Sequence, residues 1–247
     1  MKKKLIYVLC ALLVLSGVFI YIFLNKDKDT SNEKIAKNDP EIEKLVGISQ
    51  AEMSSFVFVI QESESNHILN INLTPFLNFI VEQKEIESFK ILNFKGINSR
   101  SEVVLIPPTD LSLDTLSRTF LFTTQDSITQ QDIQASADSF VYSVLSTASK
   151  FNEINSKGVV TPYFGVIIKD IGRVNYKEIM DRDGSFDGGK YLEYSKVALE
   201  TLDTEIQFDI NIQFTDGTKY NKRFKGTLLG EAFATETSPM ITLKVVE

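Results

Sequence analysis

Histidine and cysteine are almost missing from this chain: its 247 residues hold one of each, His67 and Cys10. A structural zinc site of the common Cys/His kind needs several such ligands and cannot be assembled from two. A cysteine nucleophile is excluded because Cys10 lies inside an uncharged apolar run. A serine nucleophile would depend on His67 alone, in the polar stretch QESESNHIL, where it reads as a solvated loop histidine. With a single cysteine in that apolar run, no disulfide forms in the rest of the chain. Stability must come from an ordinary core, and 18 phenylalanines make one available.

Phosphate chemistry is missing too. Neither a G-x-x-x-x-G-K-[ST] loop nor a G-x-G-x-x-G turn occurs, so nucleotide hydrolysis and dinucleotide binding have no support. Positive charge is scarce after residue 24: three of the 26 basic residues precede that point, which leaves 23 against 33 acidic ones, a net charge of −10. Nucleic acid is excluded as a partner on that balance, because Lys and Arg on phosphate supply most non-specific affinity. A basic face resting on anionic lipid is excluded likewise.

The segment LIYVLCALLVLSGVFIYIFL, residues 5–24, carries no charge and follows three lysines. Twenty helical residues span about 30 Å, the thickness of a bilayer's hydrocarbon core. The run is longer than the apolar region of a cleavable signal and lacks a small-residue exit, so it reads as an uncleaved signal-anchor. Residues 1–4 become a short cytoplasmic tail, and a single-pass cell-membrane protein with its soluble domain outside the cytoplasm is expected. NKDKDTSNEKIAKNDP, residues 25–40, reads as a flexible tether.

Beyond the tether the pattern predicts an α+β fold, with antiparallel β-sheet packed against one long and several shorter helices. Asp39-Pro40 predicts a helix start, Asp as N-cap and Pro in the first turn, with a short helix through Val46. SFVFVIQ (55–61) and HILNINL (67–73) predict a hairpin, followed by a helix over PFLNFIVEQKEIE (75–87). FKILNFKGI (89–97) and SEVVLIP (101–107) predict two more strands, closing an α-β-β-α-β-β subdomain over 41–107 at Pro107-Pro108. In the second subdomain, 108–247, Ile133, Ala137, Val141, Val144, Ala148 and Phe151 recur at three- and four-residue steps, predicting a long helix over 129–155. YFGVIIKDI (163–171) predicts a strand. TEIQFDINIQF (204–214) alternates cleanly, turns at Asp216-Gly217 and returns through KYNKRFKGTLL, and MITLKVV (240–246) closes the sheet. Lys219, Lys222, Arg223 and Lys225 on the return strand are charges of the kind that block pairing by a foreign strand.

One stretch has ligand chemistry. DRDGSFDGGKYLEY, residues 181–194, spaces carboxylates and glycines as calcium loops do. Counting from Asp183 puts Ser185 and Asp187 at positions three and five and Gly188 at six, but Tyr194 at twelve. Counting from Asp181 puts Glu193 one residue late. The stretch resembles an EF-hand-like loop of irregular length, with Asp181, Asp183, Asp187 and Glu193 as the Ca2+ candidates. The plainer reading is an exposed turn built on Gly184, Gly188 and Gly189. Asn72-Leu73-Thr74 matches a glycosylation sequon, but Pro75 and a strand placement favour chance.

No catalytic constellation emerges. The expected function is a non-enzymatic structural or interaction subunit of an envelope assembly of the secretion, conjugation, pilus or motility type, with other envelope proteins as partners and the membrane reached through residues 5–24. The alternatives are an anchored carboxylate-dependent hydrolase of envelope polymers and a calcium- or ligand-binding extracytoplasmic domain.

Overall fold

The structure is a computed structural model that describes residues 35–106, 133–135, 138–143, 159–160, 162, 164–183 and 188–246. The chain divides into Met1–Ala36 and Lys37–Glu247, and the description that follows concerns the second unit.

Helix α1, Pro40–Leu45, forms where its cap chemistry predicts. The Asp39 carboxylate accepts the Glu41 N–H at 2.9 Å, and Pro40 opens the first turn, where its missing N–H has no helical partner to lose. At Val46 the backbone turns extended, and the chain enters β1, Val46–Gln61. A tight turn, in which the Glu62 and Ser63 N–H groups donate to the Asn66 carbonyl, returns it as β2, Asn66–Val81. The expected hairpin is therefore present, and its strands run 16 residues each, roughly 50 Å of extended chain.

β2 occupies the place where a helix over 75–87 was expected. Leu77, Phe79 and Val81 point to one face, and the apolar Phe76 and Ile80 point to the other. An apolar run on both faces imitates helical spacing. Pro75 fits within β2 because, among the described residues, β8 leaves the strand at Leu73 and β7 rejoins it at Phe79, so Pro75 has a neighbouring strand on one side only.

β3 (Ile86–Ile97) and β4 (Val103–Ile106) follow, then β5 (Ile133–Ala135), β6 (Phe140–Ser143) and β7 (Val159–Val160). β5 and β6 pair antiparallel, Ile133 opposite Tyr142, which replaces the expected long helix at both places described within 129–155; the remainder of that range lies outside the described residues. The physical reason is register: Ile133 and Val141, which an expected helix would place on one side, belong to two paired strands, with Ile133 opposite Tyr142 and Gln134 opposite Val141. β8 (Gly165–Asn175), helices α2 (Tyr176–Asp183) and α3 (Gly188–Ser195), β9 (Thr204–Phe214), β10 (Lys219–Leu228), β11 (Met240–Thr242) and β12 (Lys244–Val246) complete the order.

The strands form two six-stranded antiparallel sheets. The first runs β11-β1-β2-β8-β4, with β7 also on β2; the second runs β12-β10-β9-β3-β6-β5. Each draws strands from both sides of Pro107. The expected α+β class is thus corrected to antiparallel sheets with three short helices among the described residues. The single-pass anchor, and the cell-membrane localisation built on it, are corrected with it: no helix among the described residues is long and apolar enough to cross a membrane. Residues 5–24 themselves lie outside the described residues.

One core joins the two inner faces. Phe79 of the first sheet meets Phe89, Tyr220 and Phe224 of the second at ring-centroid distances of 6.1, 6.2 and 6.1 Å. Phe164 meets Phe208 edge-on at 5.3 Å. α2 and α3 contribute Ile179, Tyr191 and Leu192 to the same core. MITLKVV, read as one closing strand, serves both sheets: β11 pairs with β1, β12 pairs with β10, and Leu243 lies buried between them. The crossing needs Gly226, where a Cβ would stand 2.8 Å from Ile241 and Leu243 side-chain atoms.

Three stability outcomes follow, all read by urea denaturation. Phe79→Ala removes the ring shared by three partners and should cost about 3–5 kcal/mol. Asp209→Ala breaks a mostly buried pair with Arg223 and should cost about 3–5 kcal/mol, whereas Glu205→Ala, in a partly exposed pair with Lys225, should cost at most about 1 kcal/mol.

Candidate functional site

The outward faces of the two sheets differ in chemistry. On β9 and β10 the alternate residues that turn away from the core are polar and meet in register. The Arg223 guanidinium grips Asp209 through two bonds of 2.6 and 2.8 Å, and the Asn93 amide donates to the same carboxylate at 2.9 Å. Asn211 donates to Asn221 at 2.6 Å, Gln213 to Glu87 at 2.6 Å, and Lys225 pairs with Glu205 at 2.7 Å. Lys84 pairs with Asp216 at the turn and holds that carboxyl well below the usual carboxylate range. The edge of β10 is also occupied. β12 covers Arg223–Lys225, and the Asn38 side chain accepts the Asn221 N–H and donates to its carbonyl, taking the part of a strand residue.

The first sheet's outward face follows another pattern. Register places Glu52, Ser54 and Phe56 of β1 beside Phe76, Thr74 and Asn72 of β2, with Met240 of β11 opposite Ser54. Asn70, Asn72 and Asn78 sit on this face with their amides engaged, to the Asp170 N–H, to Thr74 and to Gln50. Around them stand large apolar side chains in water: Phe76 is 41% exposed, Ile80 41%, Ile60 43% and Met240 51%. Between β1, β2 and the segment leading into β11 lies a cavity of about 320 Å³, lined by Ser54, Phe56, Thr74, Phe76, Thr237 and Ser238 and by Val57 at its floor. No charged group lines it. Two carboxylates flank it: Glu52 directly across from Phe76, and Glu236 next to Thr237. Neither has a cation partner among the described residues; Glu52 accepts only the Gln50 amide, at 3.3 Å.

The sequence-expected residues lie elsewhere. Asp181 and Asp183 close helix α2, Asp187 lies outside the described residues, and Glu193 is an exposed residue on α3. Among the described residues no group of three or more His, Cys, Asp or Glu side chains is placed to hold a metal ion. Asn72 is 4% exposed with its amide on Thr74, so it offers no glycosylation acceptor. The exposed face was missed because its signal, an apolar run on both sides of a strand, was read as a helix.

His67 differs most from expectation. It is buried in β2, opposite Val174 of β8, and its ring stacks on Tyr176 with centroids 4.4 Å apart. Its Nδ1 has no hydrogen-bond partner among the described residues, and burial pulls its pKa below the ordinary value.

No family model, curated protein or solved structure matches this chain.

The lowered histidine pKa has a definite sign. In the unfolded chain His67 takes a proton near pH 6.5, whereas in the folded chain it resists. Stability is full above about pH 6.5 and falls as the pH drops through the interval below it, because the unfolded state then binds more protons. His67→Phe should flatten that part of the melting-temperature profile, and an unchanged slope would show that other groups carry it.

Proposed function

We propose that this protein is a non-enzymatic interaction domain, a structural subunit that docks a protein partner on the outward face of its first sheet. The observation that supports this reading is the contrast between the two outward faces. One is covered mainly by cross-strand polar pairs, with Val246 exposed beside Arg223, and the other leaves Phe76, Ile80, Ile60 and Met240 in water around a cavity. Clustered large apolar side chains on a folded surface mark places where another molecule removes them from water. Burying such groups is what drives protein association, with the most desolvated aromatics contributing most. The acidic balance of the chain after residue 24 disfavours nucleic acid, which leaves protein as the partner class.

The test is a photo-crosslinking amino acid placed at Phe76 in one variant and at Thr227, exposed on the outward face of the second sheet, in another. In the native cells, adducts to another protein should form from position 76 and not from position 227, and Met240→Glu should abolish them. Equal labelling from both positions, or none from either, would sink the reading.

A further inference from the structure

We infer that the cavity between β1, β2 and the segment before β11 is the anchor pocket of that docking face. Its occupant is a single large apolar side chain, aromatic or branched aliphatic, carried on a partner protein and flanked there by lysine or arginine. This rests on the interaction reading above and adds the chemistry of the partner.

Size comes first. A cavity of about 320 Å³ stands at the lower limit of small-molecule sites, which run from about 300 to 1,000 Å³, and has room for a large side chain. Lining comes second. The rings of Phe56 and Phe76 offer apolar faces, and no charged group lines the pocket, so a charged headgroup would be stranded there without a counter-ion. The hydroxyls of Ser54, Thr237 and Ser238 hold no intramolecular partner among the described residues. Thr74 already accepts the Asn72 amide. Three free hydroxyls around an apolar pocket match the needs of an incoming peptide, whose backbone N–H and C=O groups flank the anchor and must be satisfied as water leaves.

Charge decides what stands beside the anchor. Glu52 stands across from the lining residue Phe76, and Glu236 directly precedes the lining residue Thr237 on the segment that ends at Met240. Several other carboxylates carry a cation: Asp209 has Arg223, Asp216 has Lys84, Glu205 has Lys225, Glu62 has Arg173 and Glu102 has Lys169. Two unpaired carboxylates beside an uncharged pocket favour a partner that brings the cations itself, and they repel an acidic one.

The experiment uses the full chain and three fluorescein-labelled peptides read by anisotropy: Gly-Ser-Lys-Phe-Lys-Ser-Gly, the same peptide with Ala for Phe, and the same with both Lys replaced by Glu. The first should bind at least about tenfold more tightly than the second, the loss expected when a hot-spot anchor is truncated. It should also bind more tightly than the third, and that preference should shrink at about 1 M salt, where the Debye length is about 3 Å. The double variant Glu52→Lys/Glu236→Lys changes two surface positions and should reverse the order of the first and third peptides. Ser54→Phe fills the cavity and should abolish binding of all three, with an unchanged melting temperature as the check on its fold. Equal affinity for all three peptides, no reversal by the charge variant, displacement by maltohexaose, or self-association of the chain lost in Ser54→Phe would each overturn the inference. Position-specific crosslinks from Phe76 that survive Ser54→Phe would overturn this pocket chemistry while leaving the docking face in place; absence of those crosslinks, with peptide binding intact, would remove the docking face as the cellular role.

Discussion

The aromatic contact between the sheets carries the architecture. Phe79 on β2 touches Phe89, Tyr220 and Phe224 on the opposing sheet, and Phe164 touches Phe208. A sheet with one apolar face must bury it against something, and here each sheet is the cover for the other. Burial of a large apolar side chain contributes about 1.5–3 kcal/mol, so a layer of such rings outweighs any surface pair in the molecule. With no disulfide to help, the short helices have the secondary task of adding Ile179, Tyr191 and Leu192 to that core, α3 packing on β1 and β8 of the first sheet.

Once the inner faces are matched, the outer faces are free to differ, and they do. The second sheet's exterior is nearly self-sufficient in polar contacts: Asn93, Asp209 and Arg223 form one linked set, and Asn211, Asn221 and Asn38 form another that reaches the segment before α1. That set blunts the edge of β10 and leaves little for another molecule to gain. The first sheet's exterior has its amides satisfied but its apolar side chains bare. The docking face we propose is the exterior that leaves Phe76, Ile80, Ile60 and Met240 in water.

How much of this was legible in the residues varied with the local signal. The hairpin of β9 and β10 was plain, because Ile206, Phe208, Ile210, Ile212 and Phe214 alternate strictly and Asp216-Gly217 supplies the turn, with Gly217 at φ +82°. The Asp39 cap was plain for the same reason: one residue type satisfies one geometry. Phe76 to Val81 was not legible, since apolar residues on both faces of a strand abolish the period-two signal. Steps of four from Ile133 to Val141 misled because they run across two paired strands, where the pairing and not the spacing sets the faces. The burial of His67 was hidden as well, since the polar turn beside it masked its pairing with β8 and its stack on Tyr176. Of the site's lining, only Phe56 and Val57 fell within an expected strand, since Phe76 stood in the expected helix; the cavity also depends on Thr237 and Ser238, which no local pattern near β1 or β2 records.

The passage of the chain from β11 to β12 has a mechanical side. Three residues pair with Glu52, Met53 and Ser54 in one sheet, and three pair with Arg223, Phe224 and Lys225 in the other, with buried Leu243 between them and its N–H on the Ala51 carbonyl. A slip of either sheet along its strands would have to drag Leu243 past Gly226, where the spacing leaves no room for even one extra carbon. The two sheets are therefore geared to each other at this rim. A load applied to the outward face of the first sheet, beside Met240, is delivered as shear directly into the hydrogen bonds of the second, so the proposed docking face and the polar face share one mechanical fate.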